Sequence, residues 1–411
     1  MAKRRVARPR WSATEWGVRG TLAIAAAGLG TVSVAHSLAY TMRGSAPAQA
    51  HALAPWDGRI TALLSEQLSA PNATPADRGR ADELAQRALR QDPTAVAAVA
   101  TLGINAQVRD DTAAARRIFA YSEKLSRRDL RTRLWANEDA VARGDIPGAL
   151  RNYDIALRTS RIAPDLFFPV LVNAIGDENI RVALARTLAG RPPWGEQFIM
   201  TTVSNAPDSR AAADLLYLLR LKRVPLPVDA SSILTERLIR EGYFDDAWRF
   251  YATFTPGVKR EESRNPKFAV IPGAPTPFDW MPATDGGIIG TIQQSGQDGF
   301  FDFSVPTSLS GPLLQQTQIL QPGGYTLTGR SSGIEQGGSA LLYWVLACAE
   351  GRELGRVTVP NSSQNNGRFN GHFVVPTNCP VQKLQLVARP SDALPGVSGR
   401  IDEVQLYAKR R

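Results

Sequence analysis

Residues that commonly carry catalysis are scarce in this chain of 411 residues. It contains three histidines, His36, His51 and His372, and two cysteines, Cys348 and Cys379. The histidines fall in three separate parts of the sequence, so together they cannot form a metal cluster. Phosphate-binding P-loops, HExxH zinc motifs and GxSxG nucleophile elbows are also missing. We therefore predict a protein that is not an enzyme and needs no cofactor or metal.

One carboxylate pair leaves a catalytic alternative open. Asp298 and Asp302 are four residues apart in DGFFDF, and that spacing places both on one face of a strand. Two carboxylates on one face are what a hydrolase of glycosidic bonds requires. A solvated strand edge or loop is the interpretation that we favour, and an envelope hydrolase is the remote alternative.

An excess of positive charge is also missing from most of the chain, although the net charge is +10. Residues 1–19 carry +5 and the final three residues carry +3, which leaves +2 for all the rest. No basic stripe interleaved with aromatic residues occurs between these ends. We therefore expect no binding to nucleic acid.

An uncharged segment follows the basic N-terminus. Residues 20–42 contain no charged side chain, and about 20 apolar residues suffice to cross a membrane as a helix. The positive-inside rule then keeps residues 1–19 in the cytoplasm and exports the rest. The alternative is a cleaved signal peptide, for which APAQA at residues 46–50 supplies small residues near a cleavage site.

The expected compartment determines the interpretation of the cysteines. Arginine outnumbers lysine and alanine is abundant, which is typical of a GC-rich bacterial genome, so the export side is the oxidising periplasm. Cys348 lies next to the end of the apolar run LLYWVLACA, and Cys379 lies in the turn PTNCP. An even cysteine count in one small domain predicts a Cys348–Cys379 disulfide, with two free buried thiols as the alternative.

The central region shows a repeat of 34 residues. Residues 43–61 read as a periplasmic tether, and small residues then recur at helical spacing. The alanines that lead the three units, Ala81, Ala115 and Ala149, are 34 residues apart, and Phe119 and Tyr153 follow at equivalent positions. This pattern resembles the tetratricopeptide repeat, in which two helices pack through small residues and an aromatic side chain fills the gap to the next pair.

The resemblance implies an all-α solenoid at residues 62–260, with about five or six helical hairpins. Its concave face would bind a protein partner, because such faces are the usual binding surfaces of repeat proteins. The alternative is a plain helical domain that has no partner.

The composition changes after this region. Charge falls, glycine, proline and small polar residues rise, and eight strand-like runs appear between turns in residues 261–411. Alternation is clear at Leu384, Leu386 and Ala388, while LLYWVLACA is apolar on both faces, as a central strand would be. This pattern predicts an all-β jelly-roll sandwich.

NPKF at residues 265–268, FDW at 278–280 and IDEVQL at 401–406 occur in an order that is similar to galactose-binding-like jelly rolls, including carbohydrate-binding modules. The resemblance implies sugar binding through an aromatic platform, amides and charged groups. This chain has Ala269 at the position where such jelly rolls often have an acidic ligand of a structural calcium, although the second acidic residue, Asp402, is present. The candidate ligand-binding residues are Trp280, Asp279, Gln315, Gln316, Tyr325 and Arg330.

Each candidate also has a structural alternative. Trp280 could fill the core between two sheets, and Gln315 and Gln316 could simply face solvent. Together these patterns predict a single-pass protein of the bacterial inner membrane. Its periplasmic solenoid would bind a protein and its sandwich a polysaccharide, in exopolysaccharide or capsule assembly. The alternative is an envelope assembly protein that binds no sugar.

Overall fold

A computed structural model describes residues 12–283, 286–337, 340–390 and 396–409. The chain divides after Ala163 into two compact units. The first unit is helical, and the second contains further helices followed by β-strands. The boundary that the sequence predicted between residues 260 and 261 therefore lies within the second unit.

Fourteen α-helices lie in the described residues. They are α1 (Ala13–Met42), α2 (Pro47–Leu53), α3 (Gly58–Leu68), α4 (Pro75–Gln91), α5 (Val96–Val108), α6 (Thr112–Leu125), α7 (Leu130–Ala142), α8 (Ile146–Thr159), α9 (Ala163–Ala174), α10 (Glu178–Ala189), α11 (Gly195–Asn205), α12 (Ser209–Leu221), α13 (Ala230–Arg240) and α14 (Phe244–Phe254).

Helix α1 is long and apolar enough to cross a membrane, although a signal sequence near an N-terminus has the same character. Its start is fixed by a capping box, in which Ser12 and Glu15 satisfy each other's backbone N–H groups. Trp16 and Tyr40 are exposed near its two ends. Exposed aromatic residues at both ends are typical of a helix that spans a bilayer.

The last turns of α1 pack against the helices that follow. Ala39 is fully buried in a small cluster with Ala50, Ala54 and Ile60. Residues 43–61, for which the sequence predicted a tether, hold α2 and the start of α3. Asp57 accepts two backbone hydrogen bonds at the start of α3, and this cap explains why the helix begins there.

Helices α3 to α8 pack in successive pairs, each joined by a short turn. The packing depends on alternating small and large side chains. Gly103 of α5 lies so close to Phe119 of α6 that an added Cβ atom would be 2.7 Å from a ring carbon. Ala81, Ala85 and Ala88 of α4 are fully buried, because only small side chains allow neighbouring helices to pack this closely.

Ten strands in the described residues form two antiparallel sheets. The strands are β1 (Met281–Pro282), β2 (Ile289–Ser295), β3 (Asp298–Val305), β4 (Gly311–Gln318), β5 (Gly323–Ser332), β6 (Tyr343–Cys348), β7 (Glu353–Thr358), β8 (Arg368–Val375), β9 (Gln382–Ala388) and β10 (Val397–Ala408). The first sheet has the order β1-β4-β9-β6-β7 and the second has β2-β3-β10-β5-β8. A short 3₁₀ helix, Asn365–Gly367, precedes β8.

The sequence predicted eight of these strands and missed β1 and β2. Both missed strands are edge strands of their sheets. Strand β1 has only two residues, and β2 has only one fully buried residue, so neither shows the alternation by which a strand is recognised.

One hydrophobic core lies between the two sheets and confirms the predicted β-sandwich. Trp344 and Leu346 of the first sheet contribute to the same buried cluster as Phe301 and Leu327 of the second. Trp344, which lies in the run LLYWVLACA that the sequence predicted to be a central strand, is fully buried. Alternate residues of each strand therefore point outward, and the two outer faces are the surfaces available for ligands.

The predicted disulfide is also confirmed. Cys348 at the end of β6 and Cys379 in the turn before β9 are bonded, with their Cα atoms 5.6 Å apart. Both residues are buried in the core cluster of the sandwich. The bond joins two points that are 31 residues apart in sequence.

Reducing this disulfide should lower the free energy of unfolding by about 3 to 4 kcal/mol, because the unfolded chain gains the entropy of an open loop. Urea unfolding of the purified chain with and without reductant measures the difference. The double variant Cys348→Ser/Cys379→Ser is the control, and its stability should not respond to reductant. An equal response in wild type and variant would show that another effect of the reductant is responsible.

Candidate functional site

Trp280, the candidate aromatic platform, lies inside the sandwich. It is 3% exposed, and its Nε1 donates a hydrogen bond of 3.1 Å to the carbonyl oxygen of Asn265. Its ring meets the edge of Trp344, with the ring centroids 5.8 Å apart. Trp280 therefore fills the core and offers no ring face to solvent.

Asp279 and Gln316 belong to a buried network around Arg264. The Arg264 guanidinium donates to the carbonyl oxygens of Phe278 and Thr317 and to Oε1 of Gln318. Gln316 exchanges two hydrogen bonds of 3.1 Å with the backbone of Arg264. The network joins the segment before β1 to strand β4 and leaves these amides unavailable to a ligand.

Helix α14 covers this network. The hydroxyl of Tyr251 donates to Oδ1 of Asp279 at 2.8 Å, while Oδ2 of Asp279 accepts from the backbone and side chain of Thr276. The Phe278 ring packs edge-on against Trp248 with the centroids 5.6 Å apart. Helix and sandwich therefore share one buried polar network within the second unit.

Burial dominates the ionisation of this network. It lowers the pKa of Arg264 to about 10, a change opposed by the attraction of Tyr251 and Asp279. Burial, followed by the negative charge of Asp279, raises the pKa of the Tyr251 hydroxyl. Arg264 is cationic and Tyr251 is neutral at physiological pH, so every donor in the network keeps its proton.

Tyr325 and Arg330 lie on opposite faces of β5. Tyr325 points into the core and donates to the carbonyl oxygen of Gln321 at 2.9 Å, and burial raises its pKa. Arg330 lies on the outer face, where its Nε is 3.4 Å from Asp402. Asp402 also accepts from Ser332 at 3.0 Å. Among the described residues, no group of three or more potential ligands could hold a metal.

The two carboxylates of the hydrolase alternative are each paired with a cation. Asp298 is 3.1 Å from the ammonium of Lys267, and Asp302 is 3.0 Å from Nε of Arg400. Arg400 also lies over the ring of Phe300, 4.5 Å from its centroid. The charges on the outer face of the second sheet therefore largely compensate one another.

Gln315 lies on the outer face of the first sheet, beside residues that the sequence analysis did not select. Its Oε1 accepts a hydrogen bond of 3.1 Å from Gln385 of β9. Gln385 is paired in register with Val345 of β6, which is paired in turn with Arg356 of β7. Three polar side chains, Gln315, Gln385 and Arg356, thus lie in one row across the sheet, and the buried Val345 of β6 separates Gln385 from Arg356.

Tyr343 lies beside this row, and two guanidinium groups lie over its ring. Arg356 is 4.6 Å and Arg389 is 4.9 Å from the centroid of its ring. Two hydrogen bonds from Arg356 to Glu353 raise the pKa of Arg356 and lower that of Glu353. None of the described carboxylates forms an ion pair with Arg389 or with the nearby Lys383.

We call this surface the Tyr343 face, and it consists of Gln315, Tyr343, Arg356, Lys383, Gln385 and Arg389. The Arg389 guanidinium lies over the ring and keeps its N–H edge free for a planar acceptor, while Arg356 is held by Glu353. The amide pair adds donors and acceptors. Such a surface can bind several hydroxyls and carboxylates at once. Arg356, Lys383 and Arg389 are cationic and only Glu353 beside them is anionic, so the net positive charge of the face favours an anionic ligand.

The sequence analysis missed Tyr343 because it lies in a run that is apolar on both faces. One signal could have found it. Once Trp344, Leu346 and Cys348 are assigned to the core, the alternation of a strand turns Tyr343 and Val345 outward.

No protein-family model matches this chain, and no curated protein matches it either. Among solved structures, the chain is similar to a carbohydrate-binding module described as "CBM4 structure and function", with 13% identity and a TM-score of 0.25. That alignment covers 36% of this chain and 99% of the module.

Two further structures are similar to the chain. The Glycosylation Associate Protein (Gap123) complex from Streptococcus agalactiae has 11% identity and a TM-score of 0.21, over 31% of this chain and 44% of that chain. The human IFIT1 dimer with PPP-AAAA has 15% identity and a TM-score of 0.23, over 55% of this chain and 62% of that chain. The chain thus spans less than two thirds of either.

Removing the buried guanidinium should destabilise the second unit. Arg264→Met keeps the length of the side chain but leaves the carbonyl groups of Phe278 and Thr317 without their donor, so we expect a loss of about 3 to 5 kcal/mol. Urea unfolding of the detergent-solubilised chain measures it. The control Lys259→Met removes an exposed cation and should change stability by less than about 0.5 kcal/mol. Equal stabilities of the two variants would contradict the structural role of Arg264.

Proposed function

We propose that this protein is a non-catalytic scaffold of the bacterial inner membrane. Residues 20–42 anchor it, and the bulk of the chain lies in the periplasm. The helical hairpins bind a protein partner, and the β-sandwich binds a polysaccharide through the Tyr343 face. We propose that the protein serves the assembly of an exopolysaccharide or capsule, a process in which one protein would bind both a protein partner and a polysaccharide.

The Tyr343 face carries the sugar-binding proposal. Two guanidinium groups lie over the ring, and the Gln315–Gln385 pair lies on β4 and β9, of which β9 is next to β6. Charge-assisted hydrogen bonds from guanidinium groups to carboxylates are strong and often bidentate. We therefore propose a polysaccharide that carries carboxylates as the ligand.

The compartment is supported by two independent features. Helix α1 has the length and composition of a membrane span, and the sandwich contains a disulfide. Disulfides persist in oxidising compartments such as the periplasm and are rare in the cytosol. Both features are expected of a chain whose folded part is exported.

Exposed apolar residues on the first helices of the hairpins support the proposal that the helical region binds a protein partner. Val108 at the end of α5 and Val141 near the end of α7 are more than half exposed. Nε1 of Trp135 in α7 donates to Gln107 of α5 at 2.9 Å and so joins these two helices. A rigid surface that combines apolar and polar groups suits the binding of a protein segment.

Arg389→Ala and Tyr343→Ala should each weaken binding to a carboxylated polysaccharide by about tenfold. The first removes the guanidinium that donates hydrogen bonds, and the second removes the ring over which that guanidinium lies. Affinity electrophoresis of the full chain in gels that contain alginate measures the binding. Gels with neutral dextran test whether the carboxylate matters. Arg330→Ala removes an exposed arginine from the opposite face and should leave mobility unchanged.

Two outcomes would contradict the sugar-binding proposal. Equal retardation of Arg330→Ala and Arg389→Ala would mean that only total charge matters. No retardation of the wild type by any polysaccharide would favour an assembly protein that binds no sugar. The buried roles of Asp279, Trp280 and Gln316 are compatible with that alternative.

A reporter placed after residue 72, in the turn between α3 and α4, tests the topology. Alkaline phosphatase at this point should be active, and a fluorescent protein that matures only in the cytoplasm should be dark, because the positive-inside rule exports this region. Fusions after residue 12 serve as the control and should show the opposite pattern. Cytoplasmic fluorescence at residue 72 would contradict the proposed localisation.

A further inference from the structure

The loop between α12 and α13 separates two grooves in the helical part of the second unit. Val224–Val228, with the sequence VPLPV, forms one wall of each groove. Pro225 and Pro227 restrict the backbone and keep this wall extended. Val228 is 71% exposed, and Leu221 just before the loop is 80% exposed.

The first groove has a volume of about 430 Å³ and is mainly apolar, and its lining includes Leu188, Pro192 and Ile199. Its charged residues are one carboxylate, Glu196, and Arg191, which also lines the second groove. The second groove has a volume of about 560 Å³ and contains three arginines but no carboxylate: Arg191, Arg220 and Arg223. Phe254 lies at its base, with the Arg220 guanidinium 4.7 Å from the ring centroid.

These three arginines differ from most others in the helical part of the second unit. Arg181, Arg210, Arg237 and Arg249 each form an ion pair with a carboxylate. Arg191, Arg220 and Arg223 have none among the described residues. A groove that collects unpaired guanidinium groups beside apolar side chains has a surplus of positive charge that a ligand can neutralise.

Two of the arginines also adopt a strained backbone conformation. Arg191 and Arg223 have φ angles of 49° and 56°, in the left-handed region that glycine normally occupies after a helix. Arg191 follows the end of α10 and Arg223 follows the end of α12, so the same exception occurs twice at one groove. Nη2 of Arg191 reaches the carbonyl oxygen of Arg223 at 3.4 Å. Strain retained at equivalent positions is a signal of function.

We propose that the two grooves together bind an extended, acidic segment of a partner protein, whose carboxylates pair with Arg191, Arg220 and Arg223 and whose apolar side chains enter the groove beside Leu188 and Ile199. The apolar walls favour a peptide over a polysaccharide, because sugar binding relies on open aromatic faces and polar groups. This proposal rests on the protein-binding role proposed for the helical region.

Fluorescent short peptides of Glu, Val, Leu and Pro are the probes, and the same peptides with Gln in place of every Glu are their controls. Fluorescence anisotropy with the detergent-solubilised full chain should show binding of the acidic set alone, weakened by salt. Arg191→Ala/Arg223→Ala should reduce the affinity about tenfold or more. Arg186→Ala removes an unpaired arginine of α10 outside the grooves and should have no effect.

The variant Arg223→Gly separates a functional from a structural role. Glycine relieves the left-handed strain, so the melting temperature should rise while peptide affinity falls. A lower melting temperature would show that Arg223 serves the fold and would overturn the proposal. Failure of the acidic peptides to bind, or arginine-dependent binding of alginate in their place, would overturn it as well.

A photo-crosslinking amino acid distinguishes this proposal from the broader protein-binding role. Placed at Val228 in cells, it should join the chain to a partner, and Arg191→Ala/Arg223→Ala should abolish the adduct. An adduct at Val108 of α5 but none at Val228 would overturn the groove and keep the protein-binding role. No adduct at either position would contradict that role itself.

Discussion

The burial of one guanidinium group constrains the second unit more than any other interaction. Arg264 is buried, so each of its donors needs an acceptor within the protein. Carbonyl groups of Phe278 and Thr317 and the amides of Gln316 and Gln318 meet that need. Helix α14 then excludes water through Trp248 and Tyr251. The β-sandwich therefore depends on a helix that the sequence assigned to another domain.

Periodicity predicted much of this fold. The 34-residue repeat and the alternation of the strands indicated helical hairpins followed by a sandwich, and the compartment predicted the disulfide. Periodicity failed where polar side chains are buried. Gln316 and Asp279 looked like surface residues, because nothing local shows that a distant arginine needs them. Tyr343 looked like a core residue, because it lies in the run LLYWVLACA, which is apolar on both faces.

Unpaired arginines connect the two surfaces that we propose as binding sites. Five of the nine arginines in the helical part of the second unit form ion pairs, which contribute little to stability when exposed. The exceptions include Arg191, Arg220 and Arg223 at the grooves beside α12, and Arg389 at the Tyr343 face of the β-sandwich also lacks an ion pair among the described residues. An anionic polymer and an acidic protein segment would then be held by one protein at separate sites. This arrangement suits a scaffold that keeps a polysaccharide beside the proteins that handle it.

Hydrogen exchange of the full chain with and without alginate tests the central claim most directly. Our account predicts slower exchange in β4, β6 and β9, whose outer side chains form the Tyr343 face, and no change in β3 or β10 on the opposite face. Protection confined to β3 and β10, or no protection at saturating polysaccharide, would contradict a sugar-binding role for the Tyr343 face.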